Sequence, residues 1–369
     1  MRRSALNETW PLLLGVLGWA GVAAVAPRIP HPADLVRAAP WAAWQLTPDV
    51  SVPLVIVAAL YAAGVWRGRV RAGAAARHAA FGGGLLAVFV ALQSPVESLA
   101  DHLLAMHEVE HMLLRTVGPM LLVLAEPQAA LLRGIPNGLR RRAVAPAISA
   151  RAVQSSFGAL AHPVVATALF IAASAFWYLP HYHDLALANE RVHWLMHVGL
   201  LANGLLFFVR LLDPRHPPLG PSLPMRLLMC WSAITSNILI GFSVTFSAHI
   251  LYPAYQGAGL LWGVGSRLNQ TSGGQTGWIF GSMMLATALL ASMYRWAEQE
   301  QRQEERRLPA ARIAIGRTAF PSAQRPRNRA LALGLAGFAL LVLALVLGSV
   351  VVEERSTHHT HSVAVRRHD

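Results

Sequence analysis

Residues 193–212 read HWLMHVGLLANGLLFFVRLL, a run that opens on two histidines four apart and carries Arg210 as its one formal charge. At a rise of about 1.5 Å per residue, a helix of that length crosses a hydrocarbon core about 30 Å thick. Comparable apolar runs, set off by charged or Pro/Gly-rich breaks, fall at residues 10–26, 52–66, 78–93, 107–124, 163–179, 225–247, 276–294 and 330–352. The pattern predicts an all-α, polytopic transmembrane helix bundle of about nine spans.

Composition agrees. Of 369 residues, 54% are hydrophobic and 13% charged, against about 25% charged in soluble domains. The net charge of +13 comes from 31 basic residues, all Arg. Assigned to alternate sides of the nine spans, the loops and tails with the adjoining helix ends carry 23 Arg on one side and seven on the other, with Arg115 deeper inside a helix. Basic residues collect in cytoplasmic loops, so the charge is explained by topology and no nucleic-acid partner is expected. The N-terminus is expected inside and the C-terminal tail outside, in a bacterial cytoplasmic (inner) membrane.

Three parts follow: residues 1–47, an N-terminal helix and outer loop; 48–297, a seven-helix core; and 298–369, a cytoplasmic linker, a terminal helix and a His-rich outer tail. Arg2, Arg3, the first apolar run and Ala24-Val25-Ala26 also fit a signal peptide, against which Pro27 speaks. The single cysteine, Cys230, excludes a disulfide and a paired-thiolate metal site within one chain.

On this topology 13 of the 16 histidines fall at or near the outer face. His107 with His111, and His193 with His197, each lie four apart on one helix face. Each pair offers two imidazoles to one ion or one to each of two. His102, His181, His183 and His249 stand close enough to serve as further ligands or supports. Met106, Met112 and Met196 add thioethers, which favour copper(I), whereas imidazole suits copper, zinc, iron and nickel. Ionisable residues within spans are costly and point to function. His358, His359, His361 and His368 in the tail are a second place where metal could collect, or a solvated end. Arg115, one turn beyond His111, is placed to neutralise Glu110 or an anion, or to form a structural ion pair.

Residues 107–111, HEVEH, formally match the zinc-peptidase H-E-x-x-H with Glu108 as general base. No downstream third-ligand motif accompanies it. One histidine from each pair could instead ligate a b-type haem, and the clustered histidines partly imitate a membrane di-iron oxygenase.

Residues 107–127 (HEVEHMLLRTVGPMLLVLAEP), 177–184 (WYLPHYHD), 189–208 (NERVHWLMHVGLLANGLLFF) and 268–278 (LNQTSGGQTGW) together resemble the bacillus-type CtaG family of caa-type cytochrome c oxidase assembly factors. That resemblance spans most of the seven-helix core. It implies a non-enzymatic membrane assembly factor acting on the oxidase's copper centres, with oxidase subunits and the lipid bilayer as partners and His107, His111, His193 and His197 as motif histidines. The chain departs from the pattern at Glu108 and Glu110, where relatives tend to carry Met and Gln, and at Asn269, where they tend to carry Asp. The expected cargo is copper, with haem or zinc as alternatives.

The topology is tested by exportable reporters. A reporter inserted at residue 320 is expected to be active only inside the cell, and one fused after residue 369 only outside it. The opposite pattern would overturn the assignment of sides.

Overall fold

A computed structural model describes Val36 and residues 38–68, 74–215, 217, 219–257 and 261–307. The expected helices at 10–26 and 330–352 lie outside these residues. So do His31, His216, the tail histidines and most of the 298–329 linker. Every described element is helical, and no strand occurs among the described residues.

The elements run α1 (Pro48–Trp66), α2 (Ala74–Gln93), α3 (Pro95–Ala100), α4 (Leu104–Met112), α5 (Gly118–Leu124), α6 (Gln128–Gly134), α7 (Arg151–Leu160), α8 (Pro163–Trp177), α9 (Pro180–Ala188), α10 (Glu190–Leu211), α11 (Leu223–Thr245), α12 (Ser266–Gln275) and α13 (Gly281–Arg307). Proline stands at or next to the first position of α1, α3, α8 and α9, where its missing N–H has no helical partner to lose. The π-helical turn Leu113–Val117 joins α4 to α5, and a second, Thr276–Phe280, joins α12 to α13. Such turns insert an extra residue and redirect a helix face, often at a functional site.

The chain is a multi-pass membrane protein. By length and composition five helical stretches can cross a membrane: Pro48–Trp66, Ala74–Gln93, Glu190–Leu211, Leu223–Thr245 and Ser266–Glu298. A sixth follows if α7 and α8, bent by 68°, count as one. The count is therefore lower than the nine expected. Two of those nine lie outside the described residues, and the continuous run from α4 through α5 carries Glu108, Glu110 and Arg115. These charges take it out of any purely apolar class. Helices nevertheless appear at all seven core positions.

Exposure separates the lipid-facing helices from the central one. In the most apolar window of α10, 72% is buried, against 22% in α1 and 33% in α2 and in α11. Val55, Ile56, Trp231, Leu239 and Phe242 turn outward, as an apolar solvent permits. Around α10 the main core gathers Phe81, Leu92, Leu114, Phe170, Leu205, Phe207 and Phe208. Its neighbours are α8, α9, α5 and the first π-helical turn.

Two contacts set the height and distance of α10. At Gly204 a Cβ would stand 2.2 Å from the Arg115 carbonyl oxygen and 2.8 Å from Pro119 Cγ, so glycine is what lets α10 lie directly on the π-helical turn. At the far end of α10, buried Arg226 donates to the carbonyls of Leu211 and Asp213, both at 2.6 Å. It thereby satisfies acceptors that a helix C-terminus leaves open.

Gly204→Ala is expected to destabilise the protein by about 1–3 kcal/mol through overpacking, read as a lowered Tm in detergent. An unchanged Tm would show that the helices part without cost.

Candidate metal centre

Two asparagines place the histidines. Asn189 caps α10, its Oδ1 accepting from the N–H groups of Arg191 (3.0 Å) and Val192 (3.3 Å), so His193 and His197 occupy the first two turns. For α4 the cap comes from α12: Asn269 Oδ1 accepts from Leu104 N–H at 2.8 Å, and Asn269 Nδ2 donates to the His102 carbonyl at 3.2 Å. Gln270 beside it binds the 244–251 connection, accepting from Leu251 N–H and donating to the Val244 and His249 carbonyls. Helix starts carry otherwise unpartnered N–H groups. The same two asparagines therefore stabilise both helices and hold both histidine pairs at one end of the bundle.

The four rings meet across the α4–α10 contact. Ring centroids are 4.2 Å apart for His107–His111 and 4.3 Å for His193–His197 along each helix. Across the helices they are 5.5 Å apart for His107–His193 and 6.0 Å for His111–His197. All four histidines are buried. Glu110, wholly buried, lies among them: a carboxylate oxygen and one ring nitrogen each of His107 and His193 fall within 4.8 Å of one another. Glu110 Oε1 is also 3.3 Å from His197 Nε2. Neither ring nitrogen of His107, nor His111 Nε2, makes a hydrogen bond of good geometry among the described residues, His107 having only a loose one to the Ala100 backbone. Burying such polar atoms unpaired costs on the order of 1–3 kcal/mol each. Three nitrogen and oxygen donors converging within 4.8 Å of one another are suited to an ion.

His183 belongs to the group in a different way. Its ring lies 4.8 Å from that of His107, but its Nδ1–H donates to the Trp177 carbonyl (3.2 Å) and its Nε2 accepts from Tyr255 Oη (3.1 Å). A carbonyl only accepts, which fixes the tautomer. Burial pushes the His183 imidazole down to about 4, the Trp177 carbonyl opposing the shift more weakly. The ring is neutral near pH 7 and its lone pair is engaged, so His183 buttresses His107.

The remaining expected ligands sit further out. His181 and His249 are exposed, and His102 is half-buried, joined to the site through its carbonyl. Met196 is buried against Trp177, Ala186 and Leu200, and Met106 packs beside Val36, Ala43, Leu99 and Leu261. Met112 lines a small pocket together with Glu108, His111, Arg115, Tyr178 and Asn237. Glu108, the general base of the peptidase reading, accepts a 2.5 Å hydrogen bond from Tyr178 Oη. Room for that pair comes from Gly277, where a Cβ would meet Tyr178 Oη at 2.3 Å. Arg115 turns to Asn237 Oδ1 (3.2 Å) and lies over the Phe170 ring at 3.9 Å.

Glu110 is the donor that the histidine spacing left out of the ligand set. Its position three residues after His107 puts it on the same face and is the signal that identifies it. Tyr178, Tyr255 and Asn237 come from distant segments and have no such signal.

A family model describing a cytochrome c oxidase caa3 assembly factor matches residues 59–299. Uncharacterized proteins of Mycobacterium bovis and Mycobacterium tuberculosis are each 25% identical over 287 residues, covering 76% of this chain and 43% of theirs. One from Mycobacterium leprae is 24% identical over 284 residues, covering 74% and 42%. The chain thus spans less than half the length of these curated relatives. No solved structure matches.

Asn269→Ala is expected to cost about 1 kcal/mol through the lost cap. Asn269→Asp, which keeps the acceptor for Leu104 N–H, is expected to lose less. Thermal unfolding of the two variants checks the order, and equal losses would mean that the cap contributes nothing.

Proposed function

We propose, for a chain that belongs to the cytochrome c oxidase caa3 assembly factor family, that it binds copper at the outer membrane face and delivers it to an oxidase subunit docked alongside. One observation carries the reading: His107 is fully buried, neither of its ring nitrogens is in a well-formed hydrogen bond, and donors from Glu110 and His193 converge on it. Arg distribution supports an outer position for that end of the bundle.

Copper is cargo in this reading, and the chain supplies ligands and no covalent chemistry. Imidazole and carboxylate donors hold copper without the strong thiolate bonds that would trap it. The donors start in the first two turns of their helices, so the path to the aqueous phase is short. His181 and His249, exposed at the same end, provide transient ligands on that path. The acidic residue next to His107 is excluded from the centre by its bond to Tyr178, which favours ion holding over hydrolysis.

The test is elemental analysis and a visible spectrum of detergent-purified protein, for the wild type and a His107→Ala, His193→Ala double variant. Copper retained by the wild type, lost from the variant and unaccompanied by a haem band is expected. In a strain lacking the gene, the wild type restores copper-loaded oxidase and the double variant does not. A haem spectrum, stoichiometric zinc or no bound metal would each overturn the reading.

A further inference from the structure

The four imidazoles form a quadrilateral with two short sides and two long ones. The short sides, 4.2 and 4.3 Å, join residues of one helix; the long sides, 5.5 and 6.0 Å, cross between α4 and α10. With metal–nitrogen bonds of about 2.0–2.1 Å, two imidazoles sharing an ion have centroids roughly 5 Å apart at a tetrahedral angle and roughly 6 Å apart when opposed. Both long sides fall within that range. Both short sides fall below it, so the cross-helix pairs are the ones whose rings already stand at the spacing of a shared ion. This places one histidine from each helix at each long side.

Glu110 adjoins both long sides. It completes a converging trio with His107 and His193, and its Oε1 is 3.3 Å from His197 Nε2. A carboxylate has two oxygens and bridges readily. Glu108, the other acid of α4, is turned to Tyr178 instead.

Resting on the copper reading above, we propose that this centre is dinuclear: one copper(I) ion between His107 and His193, a second between His111 and His197, with the Glu110 carboxylate bridging them. Charge selects the oxidation state. Two copper(I) ions with one carboxylate and neutral imidazoles leave one net positive charge, whereas two divalent ions leave three. Buried charge within a bilayer is strongly penalised. The pair also explains why two histidines on each helix are buried when one from each, with Glu110, would hold a single ion.

The experiment titrates full-length protein in detergent with copper(I) under reducing conditions, in competition with a chromophoric copper(I) chelator. Two equivalents are expected for the wild type, and one each for His111→Ala and His193→Ala. In Glu110→Gln the second equivalent is expected to weaken at least tenfold. X-ray absorption of the copper-loaded wild type, which needs no variant to fold, is expected to show copper–copper scattering. Saturation at one equivalent overturns the pair and leaves delivery standing, as does a second equivalent without copper–copper scattering. Two scattering-coupled equivalents in a protein whose His111→Ala, His193→Ala variant still restores copper-loaded oxidase would sustain the pair and overturn delivery. A wild type that takes up no copper(I) overturns both.

Discussion

The contact between Gly204 and the Arg115 carbonyl governs much of this molecule. It lets α10 lie on the π-helical turn that continues α4, and so brings two histidine pairs from segments some 80 residues apart in sequence into one buried group. A larger residue at 204 would meet the Arg115 backbone and Pro119 and push α10 off the turn. Within the π-helical turn, Arg115 points toward Asn237 and Phe170, while Glu110 faces the histidines.

A bilayer interior offers no water to satisfy polar groups, so each must find a partner within the bundle. Most of those in the α4–α10 region do. Glu108 has Tyr178, His183 has Trp177 and Tyr255, and Asn269 holds both Leu104 and His102. Against that background, His107 and His111 stand out as buried imidazoles whose ring nitrogens are poorly satisfied within the bundle. On the proposed function, such a site would hold its ligands in place before an ion arrives and lose little ordering entropy on binding.

The polar residues around the histidines have definite structural places. Glu110 puts a carboxyl group among the four imidazoles, within reach of His107, His193 and His197. Asn269 caps α4 through its oxygen and ties the preceding loop through an N–H to the His102 carbonyl. The bond of Glu108 to Tyr178 depends on Gly277, contributed by the second π-helical turn.

Membrane class, the seven core helices and the histidine pairs are legible in the chain alone, because they follow from local quantities: apolar run length, Arg placement and the four-residue repeat of a helix face. The same local reading expects nine spans, of which two lie outside the described residues, while five or six described stretches are long and apolar enough to cross a membrane. It also leaves the ion count open, as two histidines one turn apart are compatible with one ion or with two. Tertiary structure decides what surrounds the histidines. Which rings face each other, that Glu110 and not Glu108 turns inward, that His183 is engaged by Tyr255 and that Asn269 caps a helix 165 residues away all depend on distances between segments, and no periodicity along one segment encodes them.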